Sequence, residues 1–213
     1  MNKKIKEKLI KIAEKEIRTD DPAHDFNHAM QVLKNAENIC KKEGGNLDII
    51  IPAALFHDVI VYKKNSPKSY KSQEDSAIKT ANILKKIKYF SKEVIEKIQT
   101  CIIQCSYTKN IKPSILESKI LQDADLLEST GAITIMRLCA SSGQLKRPLY
   151  CFKDPFAKKR TLERKKYSLD YLFFKSIKVD KRLNTKTALK IAKRRISFLK
   201  EFLKELKLEL REE

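Results

Sequence analysis

The chain has three histidines, and they fall in two places. His24 and His28 stand one helical turn apart, and His57 is followed by Asp58 at the end of the apolar run Ala53-Ala54-Leu55-Phe56. An imidazole and a carboxylate at a buried helix end are costly to desolvate unless something pairs with them. A divalent cation would do so, taking nitrogen from one and oxygen from the other. Downstream, Asp125 follows the stripe Ile120, Leu121 and Ala124, so its carboxylate is expected to face a core. His28, His57, Asp58 and Asp125 therefore predict one mixed nitrogen–oxygen shell. It suits Mn, Fe, Co, Ni, Mg or Zn, with positions left for water. Such an ion activates water as a nucleophile and polarises a phosphoryl oxygen. Asp25 and His24 are expected to orient a ligand or relay a proton, and Asp58 to act in the chemistry as well as in the shell. Lys63, Lys119, Arg137, Arg147 and Lys175 are the candidate cations for neutralising a phosphate. Asp123, about 200° round the helix axis from Asp125, is expected to make a structural contact.

These residues need helices to hold them, and the periodicity supplies helices throughout. Residues 2–17 place Ile5, Leu9, Ile12 and Ala13 on one face. Arg18 through Pro22 breaks that segment, and Asp25 is placed to cap the next, which Gly44-Gly45 ends. Asp48 is a candidate cap for the helix running to His57, with Pro52 tolerated in or beside its first turn. The lysine-rich stretch from Val59 to Ser72, with Asn65-Ser66-Pro67, reads as a loop beside the site. Further helices are expected from about Gln73 to Tyr89, after Ser91, after Pro113-Ser114, and from Gly131 to about Ala140. Ser142 through Pro155 reads as irregular, with a shorter helix around 160–176. Asn184-Thr185 caps a long final helix whose apolar side is Leu189, Ala192, Ile196, Leu199, Leu203, Leu206 and Leu210. No segment alternates as a strand would, so the fold class is all-α and single-domain.

At 213 residues the chain is long enough for one domain with a sizeable core. No apolar run approaches the ~20 residues of a membrane span, and no signal peptide is expected. Five cysteines without a CxxC pair point to reduced thiols and a cytoplasmic location. The net charge of +19 favours phosphate-bearing ligands, nucleic acid or anionic lipid. Because 37 of the 46 basic residues are lysine, spread along the chain, compositional bias accounts for the charge equally well.

The motifs together resemble the HD-domain metal-dependent phosphohydrolase superfamily, and the flanking text resembles its small YedJ-like branch. Ala23-His24-Asp25-Phe26-Asn27-His28 is similar to the first motif, and Leu55-Phe56-His57-Asp58 to the second. Glu117 through Leu127, followed by Gly131-Ala132, is similar to the third, which is the most specific. Gly143, Arg147-Pro148-Leu149-Tyr150 and Leu183-Asn184-Thr185 extend the likeness over roughly residues 20 to 210. The resemblance implies a single HD-type helical bundle over 1–213. Its metal-binding core spans about 20–140, with C-terminal helices 160–211 packed on it. It also implies one divalent metal ion on His28, His57, Asp58 and Asp125, and hydrolysis of a phosphate ester of a nucleotide by a metal-activated water. Many relatives carry two more histidines for a second metal; their places fall near Ser72 and at Cys105, before Ser106-Tyr107. Leu126 and Gln31 stand where basic residues are usual. The other readings are a catalytically silent HD scaffold binding metal or nucleotide, and a basic helical nucleic-acid-binding protein. The expected state is monomer or homodimer, with no membrane partner.

Overall fold

A computed structural model describes residues 1–63, 66–106 and 109–210; Asn65 and Tyr107 lie outside them. Among the described residues the regular structure is all helical. The elements are α1 (Lys3–Glu16), α2 (Phe26–Glu43), α3 (Leu47–Phe56), α4 (Ser72–Leu84), α5 (Lys92–Gln104), α6 (Leu116–Leu127), α7 (Gly131–Gln144), α8 (Ser168–Phe174) and α9 (Lys186–Glu209). Short 3₁₀ turns span Pro67–Lys71 and Ser176–Arg182. No described helix is long and apolar enough to cross a membrane.

The chain divides into two compact units. The first is Met1–Asp20 with His24–Asp125; the second is Asp21–Ala23 with Leu126–Glu213. The first is built round α3. Every residue of that helix from Ile49 to Phe56 is buried, so it is apolar on all sides and packs against α1, α2, α4 and α5. Helix α2 shows why such elements form where they do. Asp25 Oδ1 accepts the His28 N–H, and Gly44 ends the helix in the left-handed region at φ 87°. Polar side chains tie α6 to this unit. Asn35 donates to the Ala124 carbonyl, Glu117 accepts the Asn46 N–H, and Gln122 donates to the carbonyls of Gln104 and Ile111.

Several boundaries differ from expectation, each for a local reason. Helix α3 is capped by Asn46, whose side chain accepts the Asp48 N–H; Asp48 sits in the first turn and its carboxylate accepts the Tyr89 hydroxyl. Pro52 lies in the second turn, where it removes one backbone hydrogen bond. The burial of the whole helix outweighs that loss. Helix α4 stops at Leu84 instead of Tyr89, because a run of tight turns tucks Ile87 and Phe90 inward. Helix α6 begins at Leu116, two residues beyond Ser114, whose hydroxyl and N–H go to Gln104 instead. Helix α7 continues through Ser142-Gly143 to Gln144.

In the second unit α7 and α8 pack together, α7 also lies against α9, and the 3₁₀ turn Ser176–Arg182 packs against α8 and α9. A core cluster of Leu169, Leu172 and Leu203 gathers Leu138, Tyr150, Phe156, Phe173, Ile177, Phe202 and Leu206. Only Ser168–Phe174 of the expected helix over 160–176 forms. The preceding residues are bent round Asp170: Arg160 donates to both its oxygens at 2.6 and 2.8 Å, and the Glu163 N–H at 2.6 Å. Burial raises the affinity of this carboxyl for a proton, but Arg160 and the Glu163 N–H outweigh that and hold it below the ordinary carboxylate value.

Asp170 is fully buried and supplies both the charge and the acceptors that Arg160 needs. Asp170→Ala is therefore expected to cost about 3–4 kcal/mol, read by denaturant unfolding. A carboxyl with a depressed folded-state pKa stabilises above the ordinary value and loses that contribution as pH falls through it. The wild type should thus lose stability more steeply than the variant below about pH 4. Equal slopes would remove Asp170 from the account.

Candidate metal centre

The site begins at the end of α3. His57 follows the last helical residue, and its ring Nδ1 lies 2.8 Å from the Ala54 carbonyl, which can only accept. Nδ1 therefore carries the proton, and Nε2 keeps a lone pair. That Nε2 is buried and makes no hydrogen bond. His28 enters from the first turn of α2, its position set by the Asp25 cap three residues before it. The two rings meet edge to face with centroids 5.3 Å apart. Both are almost wholly enclosed, at 5% and 2% exposure. The third element, α6, brings Asp125 to its inner side near its C-terminal end.

His28 Nε2 is 3.5 Å from Asp125 Oδ1 and 3.9 Å from Asp58 Oδ2; His57 Nε2 is 3.9 and 3.5 Å from the same two atoms. Those separations exceed the length of a good imidazole–carboxylate hydrogen bond. They fall inside the limit for donors sharing one ion, since two ligands each ~2.1 Å from a metal are at most ~4.2 Å apart. The ligand atoms of His28, His57 and Asp125 all lie within 4.8 Å of one another. Burial with a committed tautomer, a lone pair aimed inward and two carboxylates within 4 Å is a donor set that fits a divalent cation. His28, His57 and Asp125 are thus a candidate metal site, with Asp58 at its edge.

The surroundings hold Asp58 in place. Gln73, at the start of α4, reaches toward Asp58 Oδ1 at 3.5 Å. The backbone just after Asp58 is pinned: Ile60 N–H donates to Ser76 Oγ, and that hydroxyl donates back to the Ile60 carbonyl. Tyr62 then donates to Asp75 at 2.7 Å. The loop read from the sequence beside the site is therefore anchored to α4 at Ile60 and Tyr62. Gln73 carried no signal in the sequence, since a lone glutamine at a helix start is unremarkable until the fold sets it beside a carboxylate.

The remaining expected site residues divide as follows. Asp25 caps α2, with Oδ1 on the His28 N–H and Oδ2 accepting from Asn27, so it positions His28. His24 lies edge to face against the His28 ring at 5.6 Å. Lys63 and Lys119 are exposed members of the first unit. Arg137, Arg147 and Lys175 belong to the second. Arg137 donates to the carbonyls of Ala23 and Glu128, which gives it a structural task within that unit. Lys175 lies over the Tyr171 ring at 5.9 Å, and Arg147 is half-buried. Asp123 is fully buried. Ser72 is buried and its hydroxyl donates to the Ser69 carbonyl; Cys105 is also buried. No cysteine is disulfide-bonded, and burial pushes the Cys101 thiol up to about 12, which keeps it protonated.

Comparison with known proteins identifies the segment that carries these side chains. Residues 25–130, which hold all four converging side chains, match the HD domain family. The Bacillus subtilis (strain 168) protein YpgQ is 28% identical over 197 residues, covering 89% of this chain and 86% of its own. Its structure in complex with ADP aligns with a TM-score of 0.73 at 23% identity, over 97% of this chain and 95% of that one. The Lin1889 protein of Listeria innocua aligns with a TM-score of 0.75 at 28% identity, over 99% and 98% of the two chains. An HD-superfamily hydrolase from Bacillus thuringiensis aligns with the same score at 27% identity and the same coverage.

His57→Ala and Asp125→Ala each remove one donor of the cluster and should abolish retention of a stoichiometric divalent ion, measured by elemental analysis after desalting. Gln73→Leu keeps every donor but frees Asp58, and should weaken metal affinity by about 10-fold. Unchanged metal content in the first two variants would dismiss the site. With its two histidines and Asp125 drawn together from three helices, the segment 25–130 of this chain is an HD domain.

Proposed function

We propose that the protein is a metal-dependent phosphohydrolase, of the YedJ-like branch, that cleaves a phosphate ester of a small nucleotide. One divalent cation would be held by His28, His57, Asp58 and Asp125. The observation that carries this reading is the buried His57 Nε2, its lone pair left by the Nδ1–Ala54 bond, facing two carboxylates within 4 Å. When bound, such an ion polarises a phosphoryl oxygen and lowers the pKa of a coordinated water.

The chain's own residues do the rest. Asp58 and Asp125, with side chains 16% and 26% exposed, form the open edge where substrate and solvent water approach. The two imidazoles behind them are enclosed, so the donor set is rigid on one side and accessible on the other. His24, against the His28 ring and partly exposed, is placed to relay a proton, and Asp25 acts by fixing the turn that carries His28. Lys63 and Lys119, exposed on the same unit, are the cations we assign to the substrate phosphates. Ser72 with its hydroxyl spent on Ser69, and Cys105 buried, favour a single ion over a pair.

The nucleotide part of the reading draws on YpgQ, which has been crystallised with ADP. A screen of nucleoside mono-, di- and triphosphates with Mn, Mg, Co and Ni should give turnover with at least one pair. Chelation should abolish it, His57→Ala should lower it by at least about 10³-fold, and the rate should climb between pH 5 and 9 as the nucleophilic water ionises. Binding without turnover across the panel would make the protein a nucleotide-binding HD scaffold instead. A rate indifferent to chelation would overturn the mechanism.

A further inference from the structure

The outward face of α1 carries a row of cations that the metal centre does not use. Lys4, Lys8, Lys11 and Lys15 recur at spacings of four, three and four residues, and all are exposed. At 100° per residue they lie within about 60° of one another round the helix axis, and at 1.5 Å per residue they span about 16 Å. With Glu7 and Ile12 they line a shallow groove of about 340 Å³. Arg18, just past the helix end, donates its Nε–H to the Lys15 carbonyl. The lysines of α1 that lie off this row are paired: Lys3 with Glu7, and Lys6 with Glu37. Among the described residues none of the four row lysines has an ion-pair partner. Glu16, about 110° round the helix axis from the middle of the row, pairs with Lys79.

We propose that this face of α1 is a contact surface for the sugar–phosphate backbone of a nucleic acid, bound without regard to sequence. Three observations lead there. The row is straight and evenly stepped, which matches a partner whose negative charges repeat along a line. Double-stranded DNA carries one charge per about 1.7 Å of axis, so the row lies alongside roughly nine phosphates. Its donors are all cationic, with no amide or aromatic side chain to read base edges, so the contact fixes position and carries no sequence information. The apolar face of α1 is already used: Leu9 and Ala13 are fully buried in the first unit. A helix that lies in a membrane interface needs that face free to enter the acyl boundary, so α1 offers a lipid surface its charges alone. This surface rests on α1 and stands whether or not the metal centre turns over a nucleotide.

The test uses the full chain and fluorescently labelled 30-nucleotide probes, single-stranded and duplex, each of two unrelated sequences, in binding titrations from 50 to 200 mM salt. The wild type should bind both sequences of a probe type equally, with log K falling against log salt at a slope of about −3 to −4, as four phosphate contacts require. Replacing Lys4, Lys8, Lys11 and Lys15 together by Gln should weaken binding at least about tenfold and flatten that slope. A control changing Lys41, Lys97, Lys112 and Lys193 to Gln removes the same charge from scattered exposed sites, and should lose less than about twofold. Thermal unfolding of both variants checks that the fold is intact. Equal losses in the two variants would mean net charge, not α1, does the binding, and would overturn the proposal. So would no binding by the wild type, or binding to phosphatidylserine vesicles but to neither nucleic acid.

Discussion

The interaction on which the site depends is the hydrogen bond from the His57 ring to the Ala54 carbonyl. A buried neutral imidazole has one donor nitrogen and one acceptor nitrogen, and which is which is decided by the stronger local partner. Here a backbone carbonyl one turn back on α3 takes the proton of Nδ1, so Nε2 must present its lone pair to the interior. Placing a buried lone pair with no hydrogen bond costs free energy unless a cation sits before it. The carboxylates of Asp58 and Asp125, 3.5 and 3.9 Å away, are acceptors too and cannot satisfy it, but they stand near enough to share an ion with it. The rest of the first unit keeps this arrangement stiff: an α3 buried from Ile49 to Phe56 and enclosed by other helices, a capped α2 delivering His28, and an α6 tied down by Asn35, Glu117 and Gln122.

The second unit is organised by a different polar device. Asp170 is fully enclosed and bends the stretch from Arg160 to Glu163 round itself through three charge-assisted bonds. Below it, leucines and aromatics of α7, α8 and α9 share a common cluster. Near the start of α7, Gly131 adopts φ +70°, and any Cβ there would stand 3.2 Å from the Arg195 side chain, so the turn into that helix tolerates little else. Arg195 in turn donates to the Leu127 carbonyl and lies 3.8 Å from the buried Glu128. In both units, then, a few buried charged or polar groups define geometry that the apolar packing around them makes stable.

Lysine dominates the composition, and the structure sorts those lysines by what faces them. Lys6, Lys79 and Lys109 have acidic partners, whereas the row on α1 has none among the described residues. A bulk charge of +19 says only that anions are attracted. Where on the surface they are attracted depends on which cations are already neutralised, a property of the folded chain.

Much of the metal centre was legible in the residue order. Histidine is scarce in this chain, His28 and Asp125 lie beside apolar residues of their helices and His57 closes an apolar run, so an inward face was expected for each, and the motif resemblance implied that they share one ion. The helix caps at Asp25, Gly44, Ser91 and Thr185 were legible for the same reason: they act within one turn. Local signals failed where a distant partner competed for the same group. Asp48 was drawn to Tyr89 and left the cap to Asn46, Ser114 was claimed by Gln104, and residues 160–163 were bent by Asp170 instead of joining a helix. Sequence by itself therefore determined the helices, their inward faces and the chemical types of the donors, because these rest on interactions three or four residues apart. Only the tertiary structure decided the His57 tautomer, the approach of Gln73 to Asp58, the structural use of Arg137 and the lack, among the described residues, of ion-pair partners for Lys4, Lys8, Lys11 and Lys15. Each of those depends on which groups, remote in the chain or hidden within a turn, come within hydrogen-bonding or ion-pairing reach once the backbone is folded.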